Sequence, residues 1–511
     1  MFQSLIQSLK VALEKYPWVC ELAGILPLSA LIDFIDIPPK LHILELAGSV
    51  PLWSWPITPS GSRLLLSKPD EVSGKPVRQD CCMDRFGNSP ALEALDGRYG
   101  DRYFVSSPET LRLILSGSQV VPIDNNHLNM TDENLIRRVQ NVEIIHVMRR
   151  GSDPSPREVS ETSSEQPLQA SSPASSLFSA RRYFRGIIIA LRQTPFLYVV
   201  TSFSGWILWI STLLISGFFE LWICFSFVLL LPATGIVVSL LFGTGPRKLL
   251  VEAPSNYVRL VIIAEHMNTD SWKLVIGESS IVNSLLNRPL QPSRSWLSSA
   301  WTFALRQLLR LCILGQWGLA IGAAATKRWD AYLICFWIAL PIFSHAYLIS
   351  PSFCARGWLE KRTMVHVKRY NTQTSTRRSL LNLIVALNPD SFNTYQDNEP
   401  DYTHLAKGGM KWLDPILSES TSRSEWENAT LEATPIALET LKSKSIDGAD
   451  VQDPSSDFPD KAWNIKHRMF KHDRKTGETK EVNYWRRFIP EGIYLAAKIK
   501  MEADLPKAKT V

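Results

Sequence analysis

The sequence has no phosphate-binding loop and no exposed-nucleophile turn. Gly243-Thr244-Gly245 lacks the third glycine of a dinucleotide site, and Gly408-Gly409 has no adjacent Lys-Ser/Thr pair. Gly277-Glu278-Ser279-Ser280 does not supply the G-x-S-x-G elbow that presents a serine. There is no H-E-x-x-H, so no sequence pattern sets two histidines on one helical face for a metal. His467 and His472 stand among Lys466, Arg468, Lys471 and Arg474, whose charge repels a cation. Seven cysteines show neither metal spacing nor a regular framework, and Cys224, Cys312 and Cys335 lie in apolar runs. That usage reads as reduced thiols facing the cytosol. A net charge of +6 is too small and too dispersed for nucleic acid. No metal and no cofactor is expected.

A clean N-terminal signal is missing too. Lys10, Glu14 and Lys15 interrupt the first stretch, and Glu21, Asp33 and Asp36 interrupt the second. A span at 17–37 would bury those acids at about 2.5–3.5 kcal/mol each near the bilayer centre. A soluble or surface-lying helix is therefore expected there.

What the chain does have is apolar sequence concentrated in its middle third. Phe196–Phe219 and Leu221–Gly243 are uncharged and separated only by Glu220. At about 1.5 Å per residue, each is long enough for a hydrocarbon core of about 30 Å. Pro232 predicts a kink in the second run, because proline removes a backbone donor. A third apolar run, Leu311–Thr326, follows Arg306 and Arg310 and contains Gln316. Its Gly318 and Gly322 are spaced for close helix–helix approach, including an oligomer built through them. A fourth run, Trp329–Ser350, contains Pro341 and His345. The fold class expected is a mainly α-helical membrane protein with about four transmembrane helices in two hairpins and mixed α/β cytosolic regions. Basic residues gather before the first run, between the second and third, and after the fourth, so both termini and the middle loop are expected in the cytosol.

The division along the chain is then a cytosolic region at 1–150, a disordered Ser/Pro/Glu/Gln linker at 151–178, and a basic approach with the first hairpin at 179–243. A β-rich cytosolic loop module at 244–307, the second hairpin at 308–350 and a cytosolic region at 351–511 complete it. In the middle loop, Lys248–Glu252, Tyr257–Glu265 and Ser271–Gly277 are β-rich, and a helix is predicted over Ile281–Asn287. Ser379–Leu387 reads as a short surface helix. Residues 418–460 carry ten acidic and three basic residues, and 461–511 thirteen basic and six acidic. They read as solvated tails, the second able to contact anionic lipid.

The candidate site is the turn of the middle loop. Glu265, His266 and Asp270 are the candidate catalytic residues, joined there by Asn268 and Glu278 above an apolar floor at the bilayer. The stretches VRLVIIAEHMNTDSWKLVIGESSIVNSLLNRPL and NYWRRFIPEGIYLAAKIK resemble segments of uncharacterised multi-pass membrane proteins of filamentous fungi. That resemblance implies membrane residence and no activity. The expected function is a non-enzymatic membrane anchor or organiser of cytosolic partners. The alternatives are a membrane-bound enzyme acting on a lipophilic metabolite and a small transporter subunit.

Overall fold

The computed structural model describes residues 4, 7, 8, 11, 15–29, 43, 44, 46–49, 53, 92–125, 139–150, 196–242, 246–291, 299–363, 365–394, 400–447, 468–472, 479–483 and 488–503. The 151–178 linker lies outside them. In chain order, α1 (Pro17–Ser29) is followed by β1 (Glu93–Asp96), β2 (Arg102–Phe104), α2 (Pro108–Gly117), β3 (Val120–Pro122) and β4 (Gln140–Arg149). Then come α3 (Phe196–Phe218), α4 (Trp222–Phe242), β5 (Val258–Ala264), β6 (Ser271–Glu278), α5 (Ser279–Asn287) and α6 (Ser299–Thr326). Next are α7 (Trp329–Phe343), α8 (Pro351–Arg362), β7 (Val365–Thr374), α9 (Arg377–Leu387), α10 (Thr421–Asp447) and α11 (Phe488–Glu502).

The predicted middle-loop strands form β5 and β6, an antiparallel hairpin with Val258 opposite Glu278. Lys248–Glu252 makes no strand, only an isolated bridge from Lys248 to Gln291. The hairpin is not a module by itself. It is the centre of a seven-stranded mixed sheet ordered β2-β1-β5-β6-β4-β7-β3. β1, from the N-terminal region, pairs with β5, while β4 runs parallel to β6 and antiparallel to β7. Each strand edge in the interior needs a partner for its amides and carbonyls, and strands from all three soluble stretches supply them.

Residue alternation then builds two layers. Leu260, Ile262, Leu274, Ile276, Val142 and Ile144 face α9, α10 and α11. Val261, Ile263, Val275, Ile145 and Val147 face α2 and α5. Gly277 lies so close to β4 that an added Cβ would strike the Val147 carbonyl oxygen.

Ser379–Leu387 does not lie on the surface: every one of its residues is buried in α9. Its two buried polar residues are bonded there, Ser379 donating to Glu491 and Asn382 accepting from Thr430. The acidic and basic tails are likewise partly core. Trp426, Ala429 and Ala433 of α10, and Ile489, Ile493, Ala496 and Ile499 of α11, pack on the sheet layer. The helical spacing of those apolar residues is hidden when charges alone are counted. Gly492 permits the crossing, since a Cβ there would meet Ser379 O at 2.6 Å and Leu383 N at 2.8 Å.

Three helices are long and apolar enough to cross a membrane: Val199–Phe218, Trp222–Leu241 and Trp301–Thr326. α7 is shorter, with 15 residues followed by a five-residue π-helix at Ser344–Leu348. The chain doubles back at Glu220 and at Lys327, which take left-handed φ values of 57° and 50°. The two turns meet, because Asp330 at the start of α7 accepts from the Cys224 amide of α4 at 3.0 Å. Pro232 cannot donate to the Val228 carbonyl one turn earlier. The indole N–H of Trp209 on α3 donates there instead, at 2.7 Å. Gln316 of α6 donates to Thr234 Oγ1 of α4 at 2.9 Å. His345 falls in the π-helix.

The expected surface helix at 17–37 is corrected for its described part. α1 packs with α6 and α7, and Ala23 is fully buried beside Ala320, Ala323, Ala331 and Ile334. Trp53 also enters this bundle, edge-on to Trp337 at 6.2 Å. Only a glycine at 205 leaves room for it, since a Cβ there would overlap the indole ring. The close-packed face of α6 is thus the alanine stripe. Gly318 and Gly322 point away from it, with nothing within 4 Å of an added Cβ.

The two faces of α6 give opposite expectations. Ala323→Leu is expected to overpack the junction with α1 and α7 and cost about 1–3 kcal/mol. Gly318→Leu with Gly322→Leu is expected to leave the thermal midpoint of the detergent-solubilised monomer unchanged. A loss of stability in the glycine pair, with none in Ala323→Leu, would reverse this assignment.

Candidate functional site

The ends of the β5–β6 hairpin differ in chemistry. Its closed end is the turn 265–270. Glu265, His266 and Asp270 are all exposed there, as is Asn268. Arg377 secures the turn, donating to Asn268 Oδ1 at 2.9 Å and to the Met267 carbonyl. The Asn141 amide donates to the Asp270 carbonyl at 2.7 Å. Glu278 does not join this group. It stands at the opposite end of β6, about 25 Å away at roughly 3.3 Å per strand residue. The turn lies at the end of the hairpin away from its connections to α4 and α6. Among the described residues no three metal-ligating side chains gather.

The open end, toward the helices, holds the charge networks. Glu278 accepts from Arg149 Nη2 at 2.8 Å and Nε at 3.1 Å, and from the Ser255 amide at 2.8 Å. The Ser280 hydroxyl also donates to it. Arg149 reaches further, donating to the Glu252 carbonyl at 3.0 Å. Burial opposes the charge on Glu278, yet these donors outweigh it and hold the carboxyl below the usual glutamate range. Glu278 therefore stays an anion locked to its partner and is a poor proton acceptor.

The second network lies across β1 and β5. Asp96, 1% exposed, accepts from Arg259 Nε at 2.9 Å. The Tyr257 hydroxyl donates to Asp390, and the Arg98 guanidinium sits 4.6 Å over the Tyr257 ring. Burial, followed by the hydrogen bond to Asp390, pushes the Tyr257 phenol up. Burial pushes Asp390 up against the opposing bond from that phenol. Asn388 Nδ2 donates to the Gly97 carbonyl at 2.8 Å, which closes the loop after α9 onto the end of β1. One carboxylate oxygen, Asp96 Oδ2, is buried without a partner.

A further carboxylate, Glu491, is buried and enters the sheet layer with α11. It accepts from the Ser375 amide at 2.7 Å, from Ser379 Oγ at 2.6 Å and from Asn125 Nδ2 at 3.0 Å. These groups surround the N-terminal end of α9, where a negative charge is favoured. Lys500, further along α11, is pushed down to about 8 by burial.

Apart from Glu278, which the sequence placed with the wrong neighbours, none of these residues was marked by the sequence. Arg149 and Glu278 are 129 positions apart, Arg259 and Asp96 163, and Asn125 and Glu491 366. No local spacing signals such pairs. Chemically, the first set holds its charges in mutual contact, the second holds a phenol and a carboxyl in a shared hydrogen bond, and the third surrounds a carboxyl with neutral donors. Comparison with protein-family models, with curated proteins and with solved structures finds no match to this chain.

Glu278 supplies a pH test. Its folded pKa lies below the unfolded value, so its stabilisation is present above the ordinary glutamate range and is lost as pH falls through the lowered value. Glu278→Gln is expected to flatten the acid limb of the stability curve and to cost about 1–3 kcal/mol near neutrality. An unchanged acid limb, read by thermal unfolding across acidic pH, would contradict this role for the pair.

Proposed function

We propose that this chain is an integral membrane protein that anchors a three-layer α/β domain at the cytosolic face and organises partners there, without chemistry of its own. α3 with α4 and α6 with α7 form two hairpins and four crossings. α7 completes its crossing through the π-helical turn, since 15 α-helical and five π-helical residues rise about 30 Å. The basic stretches at both ends of the hairpins favour the cytosol for the sheet domain and the C-terminus.

The observation that carries the anchor reading is how the hairpin's open end is built. Its connectors are tied to the rest of the domain as well as to the helices. Lys248 and Gln291 exchange backbone bonds, at 2.9 Å each way. The Arg247 amide donates to the Leu46 carbonyl at 3.0 Å, and the Trp358 indole donates to the Arg247 carbonyl at 2.7 Å. Arg149 and Glu278 close the same end. These bonds fix the connectors that lead to α4 and α6 against α8, Leu46 and the end of the sheet. Such a platform displays a constant surface to soluble partners.

Two measurements test this reading. Reporters inserted at Asn268 and after Val511 are expected to read cytosolic, and a far-side signal at either would overturn the orientation. Soluble proteins recovered with membranes from cells with and without the chain test the organiser role. A defined set should be lost without it and restored by a Tyr257→Phe, Asp390→Asn variant. An unaltered set, with a metabolite that changes and is not restored by that variant, would favour the enzyme reading.

A further inference from the structure

We infer that α1 belongs to a fifth membrane crossing, entered from the face opposite the sheet domain, which places the residues ahead of it on that opposite face. The inference rests on the membrane reading above and replaces the expectation that both termini are cytosolic. The start of α1 sits at the end of the bundle where the hairpins turn. Cys20 Sγ lies 3.5 Å from the Lys327 carbonyl, and the Tyr332 hydroxyl donates to the Val19 carbonyl. Glu21 pairs with Lys327 Nζ at 2.9 Å. From there α1 runs inward along α6, since a Cβ on Gly24 would lie 3.6 Å from the Ala324 carbonyl.

The chain is next described at the other end of α7. Leu44 is buried with Ile349, just past the π-helix, and with Cys354 of α8. Leu46 is buried against Leu113 of α2 and Trp358 of α8, both elements of the sheet side. Positions 21 and 44 thus stand at opposite ends of α7 and its π-helical turn, one bilayer thickness apart.

Exposed aromatic rings mark the same two levels. Tyr16 and Trp18 are exposed at the end that also exposes Trp222, while Trp301 and Tyr347 are exposed at the sheet end. Indole and phenol rings favour the two membrane–water boundaries. Of the three acids that argue against a crossing, Glu21 is accommodated; Asp33 and Asp36 lie outside the described residues. Glu21 is 70% exposed and ion-paired at the end of the bundle, away from the bilayer centre where a bare carboxylate costs about 2.5–3.5 kcal/mol. Beyond it, Ser4, Gln7, Ser8 and Lys15 are exposed helical residues, so the segment ahead of the crossing offers polar side chains to the far-side water.

The test uses the full chain with one epitope before Met1 and another after Val511, in sealed vesicles whose cytosolic face is outward. Added protease should remove the C-terminal epitope and spare the N-terminal one until detergent is added. A glycosylation acceptor appended ahead of Met1 should be modified, and one appended after Val511 should not. Loss of both epitopes from a chain that stays in the membrane through an alkaline carbonate wash would overturn the fifth crossing alone. Release of the chain by that wash would overturn the membrane reading itself.

Discussion

The backbone hydrogen-bond demand of the β5–β6 hairpin governs the architecture. The hairpin is held between α4 and α6, so it cannot move away from the helical bundle to find partners. Both of its outer edges must still be paired in a buried sheet. β1 and β4, from the N-terminal third, take those edges, and β7 then pairs with β4 over ten residues. A sheet completed in this way joins segments that lie on either side of the long apolar helices in sequence. The helices and the sheet therefore fold as parts of one object rather than as a bundle with soluble appendages.

The charged groups follow the same constraint. Arg149 ends β4 and Glu278 ends β6, and these strands run parallel, so their ends coincide. Asp96 ends β1 beside Arg259 of β5 for the corresponding antiparallel reason. Buried ionic groups are stabilising only when well bonded, and strand pairing brings the partners together. Inside the bundle the constraint is sharper, because no water is available to satisfy a backbone carbonyl. Pro232 frees the Val228 carbonyl, and Trp209 answers it from the neighbouring helix.

Run length and charge made the helices of the middle third legible in the sequence, because membrane spans depend on local composition. Turn residues flanked by β-rich runs made β5 and β6 legible to within a residue or two. The sheet order was not, since its pairings join residues more than a hundred positions apart. α11 was masked by its lysines, although Ile489, Ile493, Ala496 and Ile499 keep a helical spacing. The turn residues Glu265, His266 and Asp270 were singled out by chemical type, yet polar types collect in wet turns for conformational reasons. Glu278 and Glu491 owe their bonding to distant strands and helices, which no local motif encodes. α1 reads as a surface helix because Glu21, Asp33 and Asp36 interrupt its stretch, and its burial shows only in the contacts of Ala23 with distant α6 and α7.

The central claim is that the N-terminal third is built into the sheet rather than appended to it. Its most direct test is a protease site placed in the 151–178 segment, followed by cleavage and affinity capture of the C-terminal piece in mild detergent. The fragment carrying β1 to β4 should remain bound, because four of the seven strands come from it. It should leave only under conditions that unfold the sheet. Dissociation of a folded N-terminal fragment under native conditions would contradict the account.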